Sequence, residues 1–155
     1  MSTALFIGRF QPFHIGHASA IAAMPESHII IGIGSSQYSG TPENPFTFEE
    51  RKGMIEKSLP QDAKKYTIIA IPDIHDADRW VSHVESIVGA GHTVYTGNDI
   101  TKQLFERKKY TVLPVQKNMP ISASALRNML QEHNTDWHAY VSPENIPMLT
   151  AYYAT

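Results

Sequence analysis

The sequence contains no cysteine among its 155 residues. Disulfide bonds, thiolate metal ligands and a cysteine nucleophile are therefore excluded, and the composition fits an intracellular enzyme. There is also no basic excess, since 13 lysines and arginines stand against 15 acidic residues, for a net charge of −2. A protein that grips a nucleic-acid backbone is usually basic, so we expect no nucleic-acid partner. Anionic ligands must instead be held by a few well-placed groups.

Long apolar runs are missing as well. No run approaches the about 20 residues that a membrane span requires, and the first residues do not follow the basic and then apolar pattern of a signal peptide. We therefore expect no membrane association and a cytoplasmic location. A hydrophobic content of 42% with 18% charged residues is typical of a soluble globular protein. The length suits a single domain over residues 1–155.

Chemistry-bearing side chains are concentrated directly after the first apolar segment. Arg9 follows that segment, and His14 and His17 lie three residues apart where a helix begins. This spacing places both imidazoles on one helical face. The free N–H groups at a helix N-terminus attract phosphate, and Gly16 would let the phosphate come close. Two histidines at this spacing are, considered alone, more often a metal site or two surface side chains, but their context favours nucleotide chemistry.

The rest of the chain alternates apolar segments with helical patterns. Continuous apolar runs indicate strands that are covered on both faces, as in a parallel sheet flanked by helices. The sequence predicts five strands, at 4–7, 28–34, 66–71, 93–95 and 110–115. It predicts a first helix that begins in the motif and continues over 18–24, further helices over 47–59, 77–88, 99–105 and 121–130, and one or two more in the tail. Ser122 or Ser124 can serve as the N-cap of the helix in 121–130.

This alternation predicts a doubly wound, Rossmann-like α/β fold with strand order 3-2-1-4-5 and C-terminal helices. In that order, ligands bind at the carboxyl ends of the strands, beside the break between strands 1 and 4. The first motif and residues 97–99 both fall there. The polar segment 35–45 is too long for a simple connection and is a candidate binding loop or lid, and 116–120 is a further loop.

The first motif also resembles the His-x-Gly-His signature of the nucleotidyltransferase superfamily. Its longer form is similar to that of the archaeal-type nicotinamide mononucleotide adenylyltransferases and reads Gly8-Arg9-Phe10-Gln11-Pro12-Phe13-His14-x-Gly16-His17. Further matches follow in order at 36–37, 44–47, 50–51, 72–74, 80–84, 97–98 and 121–127, so the resemblance covers residues 5–130. Two positions depart from the family, because Ala123 replaces a glycine and Gly40 stands where many relatives carry histidine.

The resemblance implies adenylyl transfer from ATP to nicotinamide mononucleotide, giving NAD and pyrophosphate. It implies that His14 and His17 donate to the α-phosphate and that Arg127 with Ser122 holds the β- and γ-phosphates. Arg9 would bridge the phosphates of the two ligands, and the ATP side would also include Gly8, Phe10 and Gly16. Mg²⁺ would be carried by the ATP phosphates, since no acidic cluster in the sequence suggests a metal site in the protein.

The resemblance places the nicotinamide mononucleotide beside Asp73, Trp80, Gly97 and Asn98. Trp80 matches the aromatic residue that the family stacks on the nicotinamide ring. From the pattern alone it is equally a core residue, because it belongs to the apolar stripe of a helix. Asp73 and Asn98 could hydrogen-bond the carboxamide or the ribose, and the alternative for both residues is turn chemistry.

Two other functions remain open. A nucleotidyltransferase that transfers an adenylyl or cytidylyl group to another phosphorylated acceptor, such as phosphopantetheine or flavin mononucleotide, would share His-x-Gly-His. A non-catalytic pyridine-nucleotide sensor would keep the pocket, and Ala123 is its only support. For the assembled protein we expect a homo-oligomer.

Overall fold

The computed structural model describes residues 2–116 and 119–154. They form a five-stranded sheet in the order β3-β2-β1-β4-β5, and every neighbouring pair is parallel. The strands are β1 Thr3–Gly8, β2 His28–Gly34, β3 Lys65–Ile71, β4 Thr93–Thr96 and β5 Val112–Pro114. The predicted fold class and strand order are confirmed, so the break in the winding lies between β1 and β4.

Six α-helices connect and follow the strands in the described residues. They are α1 Ile15–Ala23, α2 Phe48–Ser58, α3 Ala77–Val88, α4 Asp99–Arg107, α5 Ala123–Gln131 and α6 Ile146–Tyr152. Two 3₁₀ segments, Thr135–Tyr140 and Pro143–Asn145, lead into α6 and complete the expected C-terminal helices. The N-cap of α5 is Ser122, whose hydroxyl accepts a hydrogen bond from the Ala125 N–H.

The described helices and strands mostly begin and end within two residues of the predicted positions. The first helix starts at Ile15, within the motif as expected, and the side chain of His14 caps it. The last strand is shorter than the predicted 110–115. Lys109 adopts φ +68°, and the Tyr110 N–H donates to the Phe105 carbonyl, so the turn that ends α4 extends into the predicted strand. Residues 117 and 118 of the loop predicted over 116–120 lie outside the described residues.

Apolar side chains cover both faces of the sheet, as the continuous apolar strands predict. In β2, Ile29, Ile31 and Ile33 belong to the larger core cluster, whereas Ile30 belongs to the cluster on the other face. Helices α1, α2, α5 and α6 contribute to the larger cluster, and α3 and α4 to the smaller one. Across the described part of the chain, no helix has the length and apolar character needed to cross a membrane.

Candidate active site

His14 and His17 together cap the N-terminus of α1. Nδ1 of His14 accepts a hydrogen bond from the Gly16 N–H at 3.0 Å, and Nδ1 of His17 accepts one from the His14 N–H at 3.1 Å. Because each Nδ1 is an acceptor, each neutral ring carries its proton on Nε2. The two rings stack with their centroids 3.7 Å apart, so both Nε2–H donors lie on one face of the helix start, as the spacing predicts.

Both histidines are neutral at pH 7. Burial lowers the pKa of His14 to about 4. Burial and the neighbouring His14 hold the pKa of His17 well below its ordinary value. The pair therefore supplies directional donors without charge. Positive potential for a phosphate must come from the N-terminus of α1 and from arginine side chains.

The glycines of the motif make room for neighbouring rings. A Cβ added to Gly16 would lie 2.8 Å from Cε1 of His14, and one added to Gly8 would lie 2.9 Å from the ring of Phe10. Phe10 in turn packs edge-on against His17, with ring centroids 4.9 Å apart. The capping imidazole already requires glycine at position 16, and the close approach of a phosphate to Gly16 stays a prediction.

Two adjoining cavities open at the carboxyl ends of β1 and β4. The first, which we call the histidine cavity, has a volume of about 380 Å³ and is lined by predicted site residues: Gly8, Phe10, His14, Gly16, His17, Gly97, Asn98 and Ser122. Ala123 also lines it. The second, the tryptophan cavity, has a volume of about 800 Å³ and is lined by Gly8, Arg9, Asp73, Trp80 and Asn98 among others. Because Gly8 and Asn98 line both, ligands in the two cavities would lie side by side.

Trp80 is half-buried and has two surroundings. It packs against the core cluster of α3 and α4, and it also lines the tryptophan cavity. Its neighbour on the helix, His83, has its Nε2 2.8 Å from the Pro72 carbonyl oxygen and is structural. The two roles predicted for Trp80 are therefore compatible, since one edge of the indole can stabilise the core while another faces a ligand.

Asp73 and Asn98 use their side-chain oxygens in local turns. The Oδ1 of Asp73 accepts from the His75 N–H at 2.9 Å, and the Oδ1 of Asn98 accepts from the Thr101 N–H at 3.0 Å and caps α4. The turn chemistry considered as the alternative is thus present at both positions. Both residues still line the tryptophan cavity, and the Asn98 amide NH₂ is suited to donate to a ligand.

Arg127 lies behind the motif loop and lines neither cavity. Its Nη1 donates to the Gln11 carbonyl at 2.8 Å, and its Nη2 donates to the Ser124 hydroxyl at 3.2 Å. Burial lowers its pKa, and the nearby Arg9 lowers it further. Arg9 itself lines the tryptophan cavity, with Nη1 3.2 Å from Oδ1 of Asn44. The direct triphosphate contact expected of Arg127 stays a prediction.

Sequence reasoning missed two buried polar side chains that shape the site. The amide of Gln11 is bonded in both directions to the backbone of Phe46, at 2.8 and 3.1 Å, so it fixes the loop after β2 against the motif. Arg51 is completely buried and donates only to main-chain carbonyls. A detectable signal existed for Arg51, because it falls on the helical stripe of Met54 and Ile55, where a charged residue is unexpected.

No group of three or more histidine, aspartate or glutamate side chains within residues 2–116 and 119–154 is placed to hold a metal ion. The donors at the site are instead imidazole N–H groups, backbone N–H groups and guanidinium groups. This set suits anionic ligands rather than a bare cation.

The comparisons with known proteins identify this sheet, with a histidine pair capping its first helix, as a nucleotidyltransferase. The profile of the cytidylyltransferase-like family matches residues 5–129. The nicotinamide-nucleotide adenylyltransferase of Pyrococcus horikoshii is 41% identical over 136 residues, which cover 84% of this chain and 73% of that protein. The enzyme of the same name from Methanococcus aeolicus is 43% identical over 138 residues, covering 86% and 80%. The chain belongs to the family of the nicotinamide-nucleotide adenylyltransferases.

Solved structures agree on the fold. A bifunctional NMN adenylyltransferase/ADP ribose pyrophosphatase from Francisella tularensis superposes with a TM-score of 0.80 at 24% identity, covering 99% of this chain and 50% of that one. A second structure of the Francisella enzyme, in complex with AMP and a manganese ion, gives a TM-score of 0.76, also at 24% identity, and covers 99% of this chain and 49% of that one.

The lowered pKa values of the histidine pair predict a loss of stability in mild acid. A histidine whose folded-state pKa lies below its unfolded value of about 6.5 takes up a proton on unfolding, so stability present above that value is lost as the pH falls. For His14, with a folded pKa of about 4, the loss is on the order of 2 kcal/mol at pH 5. Asparagine also caps helices well, so His14→Asn should melt with a weaker pH dependence between pH 7 and 5 than the wild type.

Thermal denaturation at a series of pH values measures this difference. The exposed His138 provides the matched control, and His138→Asn should keep the wild-type slope. Equal slopes for the wild type and His14→Asn would contradict a neutral, buried His14.

Proposed function

We propose that ATP binds in the histidine cavity and nicotinamide mononucleotide in the tryptophan cavity. The reaction is the nicotinamide-nucleotide adenylyl transfer of the family. The observation that carries the assignment is the shared wall, because Gly8 and Asn98 line both cavities. Ligands in the two cavities would meet beside these shared residues, with the acceptor phosphate next to the α-phosphate of ATP. Such placement supplies much of the catalysis in phosphoryl transfer.

The proposed step is an in-line displacement at the α-phosphorus. An oxygen of the acceptor phosphate forms the new P–O bond, the bond from the α-phosphorus to the bridging oxygen breaks, and pyrophosphate leaves with the electron pair. The acceptor phosphate is mostly dianionic at pH 7, because its second pKa is about 6, so no general base is required. The Nε2–H groups of His14 and His17 would donate to the α-phosphate as charge redistributes in the transition state.

Two arginines would supply the positive charge that the neutral imidazoles do not. Arg9 and Arg127 interact repulsively, and the only ion pairs between the described residues are His75 with Asp73 and Arg79 with Asp76. No acidic side chain therefore competes for either guanidinium through a direct ion pair. Arg9 would bridge the phosphates of the two substrates, and Arg127 with Ser122 would hold the β- and γ-phosphates.

ATP would enter as its Mg²⁺ complex, so the cation is part of the substrate. Mg²⁺ is commonly held by substrate phosphates and water with few protein ligands, which fits the donor set described above. Self-association is a further part of this proposal, and the outer strands β3 and β5, each with one described neighbour, are where a second copy could add to the sheet.

The acceptor preference tests the proposed function directly. We expect pyrophosphate release from ATP with nicotinamide mononucleotide and the appearance of NAD, and much slower release with flavin mononucleotide or phosphopantetheine. His17→Ala should lower kcat by about 10²–10³-fold, as is typical for the loss of one transition-state donor. The exposed His138→Ala serves as the control and should leave kcat unchanged.

A different preferred acceptor would contradict the substrate assignment, and binding without turnover would favour the sensor. Near wild-type turnover in His17→Ala would remove that residue from the mechanism.

Arg127→Ala should raise the Michaelis constant for ATP and lower kcat, because a guanidinium on the triphosphate acts in the ground state as well as in the transition state. Arg127→Lys should recover only part of the loss, since the bidentate fork is absent. Arg107→Ala on α4 is the matched control for removal of one positive charge. An unchanged Michaelis constant for ATP in Arg127→Ala would contradict a triphosphate contact and would limit Arg127 to a structural role, the hydrogen bond to the Gln11 carbonyl.

Trp80→Ala should raise the Michaelis constant for nicotinamide mononucleotide by about two- to thirty-fold, because a cation facing an indole contributes about 0.5–2 kcal/mol. The constant for ATP should change little. The other tryptophan, Trp137, is buried in the larger core cluster and is the matched control. Trp137→Ala should cost about 3–5 kcal/mol of stability with no selective effect on this substrate. The same pattern in Trp80→Ala would give Trp80 a packing role only.

A further inference from the structure

Arg51 is a buried cation with no carboxylate partner. It is 0% exposed, and neither of the ion pairs between described residues includes it. Main-chain carbonyls bind its guanidinium instead, and burial with the nearby Arg9 lowers its pKa to about 10, so it stays protonated at neutral pH. An unsatisfied charge in this position would be strongly destabilising, which is why the carbonyl partners matter.

Those carbonyls belong to three separate segments. Nη1 donates to Arg9 at 3.0 Å, just after β1, and to Gly34 at 2.9 Å, at the end of β2. Nε donates to Thr47 at 3.2 Å, the N-cap of α2. Nη2 lies 3.3 to 3.4 Å from the carbonyls of the loop after β2, at Ser35, Ser36 and Tyr38. One guanidinium therefore joins the ends of two neighbouring strands to the candidate binding loop.

The hydrogen bonds of Arg51 reach residues that line one of the two cavities only. Among its carbonyl partners, Arg9, Gly34 and Ser35 line the tryptophan cavity, and none of the partners lines the histidine cavity. Ser35 also has φ +46°, a left-handed conformation that a residue other than glycine keeps only when its surroundings enforce it. Removing the guanidinium would release this strained residue and the Arg9 main chain together.

We propose that Arg51 is a positioning residue for the acceptor nucleotide: it holds the main chain of Arg9 and the loop after β2 where they can bind the phosphate of a mononucleotide in the tryptophan cavity. Arg51 itself does not line the cavity, so it would not touch a substrate bound there. Its guanidinium lies behind the residues that line the cavity. Because it binds their carbonyl oxygens and offsets the negative partial charge of these oxygens, they repel a phosphate less. The inference rests on the proposed function, which assigns this cavity to the acceptor.

A merely structural role makes a different prediction. If Arg51 only stabilised the fold, its replacement would lower the melting temperature and damage the kinetics of both substrates alike. Because none of the carbonyl partners of Arg51 lines the histidine cavity, its replacement should weaken binding of the acceptor more than binding of ATP.

The experiment compares Arg51→Lys and Arg51→Ala with the wild type for melting temperature, kcat and both Michaelis constants. We expect Arg51→Lys to raise the constant for the acceptor about ten-fold, because a lysine keeps the charge but not the planar fork, with the constant for ATP changing about two-fold or less. In Arg51→Ala, added millimolar guanidinium chloride should restore part of the acceptor affinity. Arg107→Ala, which loses an exposed guanidinium, should not respond to the additive.

Equal increases in both Michaelis constants, an unchanged acceptor constant, or failure of Arg51→Lys to fold would each overturn the proposal. The acceptor panel on the wild type tests the proposed function separately. If the wild type prefers another phosphorylated acceptor, the same comparison is made with that acceptor, so a failure of the substrate assignment is distinguished from a failure of the role of Arg51.

Discussion

Parallel strands end in carbonyl oxygens, and the proposed function brings two phosphate-bearing ligands to that same edge of the sheet. Carbonyl oxygens repel phosphate, so the edge must be made attractive to anions. The structure does this with groups from three sources: the N-terminus of α1, the histidine pair that caps it, and arginines that bind carbonyls from behind. The positions of Gln11, Gly16 and the phenylalanines of the motif follow from the need to hold these groups in place.

Charge and direction are supplied by different residues. The imidazoles are neutral and fixed by their Nδ1 acceptor bonds, so in the proposed reaction their N–H donors would need no reorganisation. The arginines carry the charge, and hydrogen bonds to main-chain carbonyls compensate the burial of two of them, Arg51 and Arg127. Separating the two tasks lets His17 pack tightly among aromatic rings, which a charged imidazole in the same place could not do without a large desolvation cost.

Local signals were sufficient to predict most of the fold. Continuous apolar strands and the alternation of strands with helices predicted the parallel sheet and its strand order. The contacts of Arg51 and Arg127 could not be predicted, because their acceptors are carbonyls that only the folded chain brings together. Arg127 and Gln11 are 116 positions apart. A resemblance names such residues, but it cannot say whether a guanidinium faces a ligand or the back of a loop.

The C-terminal helical segments after α5 also support the site, although they lie beyond residues 5–129, the part that the family profile matches. The Tyr152 hydroxyl donates to the Pro45 carbonyl at 2.9 Å, and its ring packs on Phe46, the residue whose backbone Gln11 binds. Asn145 donates to the Met54 carbonyl on α2, the helix that carries Arg51. The tail thus contacts the loop after β2, which Gln11 binds, and helix α2, which carries Arg51. Arg51 can position the loop accurately only if α2, the helix that carries it, is itself held in place. The hydrogen bond from Asn145 to α2 helps to hold this helix.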